Sequence, residues 1–144
     1  MPFTYLIIPE QRLLIKRAVD RLTDAELISG VRCMAEVAHS GRVALEICEL
    51  DPNCLFSITP HGMHRALAAA QAISLDLGGI PQVTVAYNDL ALGLARMFSQ
   101  MMSKLNLRAE VCRSLPEAFA FVGVPPLDLA GLRFSPMESL AAQQ

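Results

Sequence analysis

The sequence predicts an α/β domain with a five-stranded, mostly parallel sheet, an antiparallel N-terminal strand and four helices. Three observations carry this. Short apolar runs alternate with longer amphipathic segments in the order β-β-α-β-α-β-α-β-α, and such alternation implies right-handed crossovers between mostly parallel strands. The first two runs are separated only by Pro9, Glu10 and Gln11, so short a connection that it forces an antiparallel hairpin. Two helix starts, at Thr23 and Ser114, carry a hydroxyl residue followed three positions later by Glu, the pattern of a capping box.

Taken in order, Phe3 to Ile8 is the first strand and Leu13 to Val19 the second. In the second, Leu13, Ile15 and Val19 point one way, with Arg17 as the exception, and Leu14, Lys16 and Ala18 point the other. Thr23-Asp24-Ala25-Glu26 opens the first helix, with Leu22 and Leu27 at staple spacing. Its expected buried face is Leu27, Val31, Met34, Ala35 and Ala38, and Gly41 stops it. Val43 to Leu50 is the third strand. Thr59 and Pro60 open the second helix as N-cap and first helical residue. That helix is expected to bury Met63, Ala66, Leu67, Ala70, Ile73 and Leu77 and to end at Gly78-Gly79.

Gln82 to Tyr87 is nearly all apolar, as a central strand covered on both faces requires. Asn88 or Asp89 caps the third helix, with Leu90, Leu94, Met97, Phe98, Met101 and Leu105 as its expected buried face and Asn106 at its exit. Leu107 to Arg113 is the fifth strand, and Ser114 to Gly123 a short helix. Residues 1–124 thus form one domain. Residues 125–144 form a tail carrying Leu127, Leu129, Leu132, Phe134, Met137 and Leu140. So apolar a tail is expected to pack on the domain or on a partner chain, and a homodimer is the expected assembly.

At 144 residues the chain can bury roughly 70% of the surface its unfolded form exposes, so it needs no disulfide or metal staple. It is 53% hydrophobic and 18% charged, with a net charge of −2. No basic run argues for nucleic acid or an anionic membrane as partner. No apolar window is long enough for a membrane span. The start MPFTYLIIPEQR lacks a basic n-region and breaks at Pro9, so a cytoplasmic location is expected. Cys33, Cys48, Cys54 and Cys112 lack CxxC spacing and read as thiols, mostly buried.

The segments Ala86-Tyr87-Asn88-Asp89, Gly93-Leu94-Ala95-Arg96-Met97-Phe98 and Arg113-Ser114-Leu115-Pro116-Glu117-Ala118-Phe119 carry a resemblance. Together with the element order, they resemble the SpoIIAA-like fold of STAS domains, found in anti-sigma-factor antagonists and in the cytosolic domains of sulfate transporters. Of the two, the closer resemblance is to small bacterial STAS-like proteins that are also grouped with lipid-exchange CRAL-TRIO domains. The resemblance spans roughly Phe3 to Gly123 and rests on packing motifs. It implies a SpoIIAA-like fold and a regulatory role. Signalling STAS domains place a phosphorylatable Ser in a D-x-S-G-like segment at the start of the helix after the third strand. Here that region reads Ser57-Ile58-Thr59-Pro60-His61-Gly62, so a Ser and a Thr are present without the D-S-S-G-like pattern.

The candidate ligand, phosphate-binding or modification residues are Ser57, Thr59, His61, His64, Asn88 and Arg96. Ser57 and Thr59 lie where helix amides point outward, which suits an anion or a modified residue; Thr59 is equally an ordinary N-cap and Ser57 an ordinary loop residue. His61 and His64 share one face of the first helical turn, but without a third ligand or an HExxH pattern they do not make a metal site. Arg96 can pair with Glu46 or Glu49 or meet an anionic ligand. Glu46 and Glu49 are three apart on one strand and so point to opposite faces.

No G-x-S-x-G, P-loop, G-x-G-x-x-G or Ser-His-Asp pattern is present, and nothing calls for a cofactor or a catalytic metal. The expected function is a non-enzymatic STAS-like regulatory or protein-interaction module whose partner is another protein or a second copy. The alternative is a carrier or sensor of a small apolar or anionic ligand, which would need an apolar cavity of about 300 Å³ or more.

Overall fold

The computed structural model describes residues 3–72, 80–105 and 107–137. The main sheet contains β1 (Phe3–Ile8), β2 (Leu13–Ala18), β4 (Leu45–Leu50), β6 (Gln82–Ala86), β7 (Ala109–Cys112) and β8 (Ser135–Pro136) in the spatial order β7-β6-β4-β2-β1-β8. A separate parallel pair joins β3 (Arg21–Thr23) to β5 (Leu55–Ser57). The helices are α1 (Asp24–Ser40), α2 (Pro60–Ala72), α3 (Asp89–Ser103) and α4 (Leu115–Val122). The fold is the SpoIIAA-like α/β arrangement expected. The five expected strands are β1, β2, β4, β6 and β7, joined by the short β3, β5 and β8.

The hairpin forms as its length dictates, with Phe3 opposite Ala18 and Ile8 opposite Leu13. From β2 the chain steps to β4, β6 and β7, always to the next parallel neighbour on the same side. Crossovers of one hand that always step the same way put their helices on one face. Accordingly α1, α2 and α3 share one face, where Ile28 and Val31 of α1 pack with Ala66 and Ala70 of α2 and Met102 of α3. Because no crossover steps back, the parallel strands have no reversal point of the kind that opens a ligand crevice in doubly wound sheets.

The chain then passes to the opposite face. There α4 lays Ala118, Phe119 and Val122 on Ile15, Ile47, Val83 and Val85. The following segment stays on the chain's own sheet. Leu129 is buried against the same cluster and Phe134 packs beside it. Ser135 and Pro136 pair with Tyr5 and Thr4 of β1, and Met137 is fully buried. Leu127 and Leu132 remain exposed. Leu140, Asn106, Ile73, Leu77 and Gly78-Gly79 lie outside the described residues.

Local signals placed the helix ends well. Thr23 accepts from the amide of Glu26, whose carboxylate accepts from the Thr23 amide, and Gly41 closes α1 at φ +71°. Asn88, not Asp89, caps α3. Ser114 caps α4, but Glu117 reaches back to the amide of Arg113 rather than of Ser114.

Helix phases were read less well. On α1 the buried set is Ile28, Gly30, Val31, Cys33, Met34 and Val37, with Leu27, Ala35 and Ala38 half-buried at its margins. On α2, Met63, Ala66 and Ala70 are buried as expected, and Leu67 is half-buried. On α3 the expectation holds in part: Leu94, Phe98, Met101 and Leu105 are half-buried, but Ala91, Leu92 and Met102 are the buried residues and Leu90 and Met97 are 64% and 51% exposed. Leu90, Ala91, Leu92 and Leu94 fall within five positions, so at this end of the helix the apolar residues point to more than one side.

Candidate functional site

The site is built where the starts of α1 and α2 meet. The β3–β5 pair sets its register, placing Arg21 opposite Leu55 and Thr23 opposite Ser57. Each strand then runs into a helix, so Asp24 and Thr59 emerge side by side. Thr59 donates its amide to Asp24 Oδ1 at 2.8 Å and its hydroxyl to Asp24 Oδ2 at 2.6 Å. The same hydroxyl accepts from the Gly62 amide at 3.0 Å. The hydrogen bonds from the Thr59 hydroxyl and amide hold the Asp24 carboxyl below the ordinary aspartate range.

One carboxylate therefore sits at two helix N-termini at once, where the helix dipoles favour negative charge. Gly62 is what permits the approach, because a Cβ at that position would lie 1.9 Å from Asp24 Cγ. The amide of Gly62, a candidate anion ligand by position, already has Thr59 as its partner.

Ser57 stands just outside this junction. It is exposed, and its hydroxyl accepts from Arg21 Nη1 at 2.6 Å. His61 and His64 are exposed on the first turn of α2, and Leu55 is exposed on β5. These four exposed residues, on β5 and on the first turn of the helix it leads into, are called the rim. Asn88 and Arg96 belong elsewhere. The Asn88 side chain is used in capping α3, and no hydrogen bond among the described residues links it to the rim. A second polar group, of Asp89 with Arg113 at 3.0 Å and Ser114 with Glu117, stands at the starts of α3 and α4.

Arg96 is exposed and meets neither glutamate, which corrects the expected pairing. The reason lies in the sheet. Glu46 and Glu49 do face opposite sides, and each has a cation on the neighbouring β2. Lys16 Nζ lies 2.8 Å from Glu46 Oε1, both side chains being buried. Arg17 Nε lies 2.6 Å from Glu49 Oε1.

Sequence reasoning missed Arg21 and Asp24 as parts of the site. Each is about 35 residues from its partner, beyond the reach of any local pattern. One signal was available: Gly62 in the first turn of a helix marks a close approach by something.

Under α1, α2 and α3 lies a cavity of about 80 Å³, lined by Phe3, Lys16, Cys48, Met63, Leu94 and Phe98 among others. It is well below the size expected of a site for an apolar cargo. Burial pushes the Cys48 thiol at its floor up to about 11. None of the four cysteines is in a disulfide. Among the described residues no group of acidic, His or Cys side chains is placed to hold a metal, and no helix is long and apolar enough to cross a membrane.

No protein-family model matches this sequence, and no curated protein matches it. Solved structures do. The anti-sigma factor antagonist SpoIIAA in its unphosphorylated form is 11% identical, with a TM-score of 0.52 over 84% of this chain and 97% of that one. The Bacillus cell fate determinant SpoIIAA in its phosphorylated form is 16% identical, with a TM-score of 0.49 over 83% and 98%. The first likeness establishes the SpoIIAA-like fold that the element order and packing motifs implied.

Proposed function

We propose that this chain is a non-catalytic regulatory module that binds a protein partner at the rim of Leu55, Ser57, His61 and His64, and that phosphorylation of Ser57 switches the binding. Its fold is that of SpoIIAA, an anti-sigma factor antagonist. The observation that carries the switch is the contrast between the two hydroxyls. Ser57 is exposed, and among the described residues its hydroxyl is hydrogen-bonded to the Arg21 guanidinium alone. A phosphate there adds about two negative charges, which Arg21 can receive in charge-assisted hydrogen bonds. Thr59 is tied to the Asp24 carboxylate and the Gly62 amide. A phosphate there would meet a carboxylate and remove a helix cap. The small cavity gives the carrier reading no support.

Phosphosite mapping by mass spectrometry, on protein purified from its own host, tests this. Modified Ser57 with unmodified Thr59 is the expected result. Modification at Thr59, or at neither residue, overturns the switch.

A further inference from the structure

Among the described residues the outward face of α3 takes no part in the buried clusters or at the rim, and its ion pair is that of Asp89 with Arg113. Asp89, Leu90, Gly93, Arg96, Met97 and Gln100 are exposed along it. At 3.6 residues per turn, Gly93 falls at its centre. Leu90 and Met97 stand on one shoulder and Asp89 and Arg96 on the other. Leu90 and Met97 are among the most exposed large apolar side chains in the structure.

Among the described residues nothing accounts for Gly93. A mid-helix glycine destabilises its helix relative to alanine. At Gly62 the Asp24 carboxylate requires it, but at Gly93 nothing among the described residues, its own turn of helix aside, lies within 4 Å of a Cβ position. The result is a flat seat between two large apolar side chains.

We propose that this face is a two-fold interface, with α3 packed antiparallel against α3 of a second copy across Gly93. The two-fold places positions three or four residues before Gly93 against positions three or four after it. Leu90 then meets Met97 of the second copy, and Asp89 meets its Arg96. Each shoulder thus complements itself, as an isologous contact requires. A parallel arrangement would set the apolar shoulder against the charged one.

The charges are available for this. Among the described residues Arg96 makes no ion pair or hydrogen bond. The Asp89 side chain is 97% exposed even while paired with Arg113. A single helix pair buries area at the low end for specific interfaces, so the dimer is weak and concentration-dependent.

Sedimentation equilibrium over a roughly hundredfold concentration range, extending above the affinities usual for weak interfaces, tests the proposal. The wild-type chain is expected to dimerise. Asp89→Lys alone sets lysine against arginine, and Arg96→Glu alone sets carboxylate against carboxylate. Each is expected to weaken the dimer at least about tenfold. Mixed together, the two variants form a heterodimer in which both ion pairs are restored, so association returns to near the wild-type level. A wild-type chain that stays monomeric throughout overturns the proposal and leaves the face to a foreign partner. A dimer indifferent to both single substitutions, or a mixture that fails to associate, overturns it equally.

Discussion

On the two faces of the central sheet, the same pair of strands builds two ion pairs in different ways. Lys16 and Glu46 face α1–α3, and Arg17 and Glu49 face α4. The first pair is almost completely buried, with residue exposures of 5% and 3%. Its ammonium lies 5.0 Å from the centre of the Phe3 ring, and Gly30 of α1 leaves room for that ring. Glu46 Oε1 is at ion-pair distance but not aligned as a hydrogen-bond acceptor. The second pair is partly solvated and better bonded. Glu49 takes Arg17 Nε on one oxygen and the Tyr87 hydroxyl on the other, at 2.6 and 2.5 Å. The guanidinium also stacks on Phe134, 4.2 Å from its ring centre. One pair depends on Coulomb attraction where water is excluded, and the other on hydrogen bonds and stacking at the margin of a core.

Breaking the buried pair should have the largest effect. Glu46→Leu strands an ammonium in the core, and losing one partner of such a pair costs about 3–5 kcal/mol. Lys16→Met with Glu46→Leu removes both charges and should return stability to the wild-type level or above it. Urea unfolding of the single and double variants measures this. A single variant that costs under ~1 kcal/mol, the range of an exposed pair, would make the two faces equivalent.

Alkaline titration sharpens the contrast with a smaller effect. Burial pulls the Lys16 pKa down, but the Glu46 carboxylate together with Cys48 and Cys33 more than offsets it, and the net value rises from 10.5 to about 12. A raised folded-state pKa means the stabilisation is complete below pH 10.5 and is lost as pH rises through about 12. The amount is about 2 kcal/mol. Tyr87 is also pushed above its ordinary 10.0, by burial and then by its bond to Glu49, so it loses stabilisation in the same direction. Unfolding midpoints between pH 8 and 12 should therefore fall for the wild type. The fall should shrink in the Lys16→Met, Glu46→Leu double variant, and separately in Tyr87→Phe. A double variant that falls as steeply as the wild type removes Lys16 as a source.

These pairs also show what the sequence made legible. The capping box at Thr23, the N-cap at Ser114 and the hairpin at Pro9 depend on residues close in sequence and follow from local pattern, although the reciprocal bond expected from Glu117 goes to the Arg113 amide instead. The opposed directions of Glu46 and Glu49 followed from strand geometry alone. Their partners did not, because Lys16 and Arg17 lie about 30 residues away and pairing depends on strand register. The same limit hid the Asp24–Thr59 junction and left the three-residue strands β3 and β5 unread. At the start of α3, where Leu90, Ala91, Leu92 and Leu94 are all apolar, no local rule tells which of them face the sheet. Hence the candidate list held Ser57 and Thr59 but not Arg21 or Asp24, the residues that give those two hydroxyls opposite environments.

The smallest expected effect tests what the solvated pair gains from being an arginine. Lysine at position 17 keeps the charge but loses the planar fork and the stack on Phe134. Arg17→Lys should therefore cost only about 0.5–1 kcal/mol, the range of a cation–π contact near the surface. Its location matters more than its size. Phe134 lies in the segment that leads into β8, adds Ser135 and Pro136 to the edge of β1 and seats Met137. A weaker hold on Phe134 should loosen that segment first. Amide hydrogen exchange should quicken across residues 124–137 and at Thr4 and Tyr5, while β4 and β6 keep their wild-type rates. Equal acceleration throughout the sheet would mean that Arg17 supports the whole domain, as Lys16 does. The distinction between the two faces would then rest on burial alone.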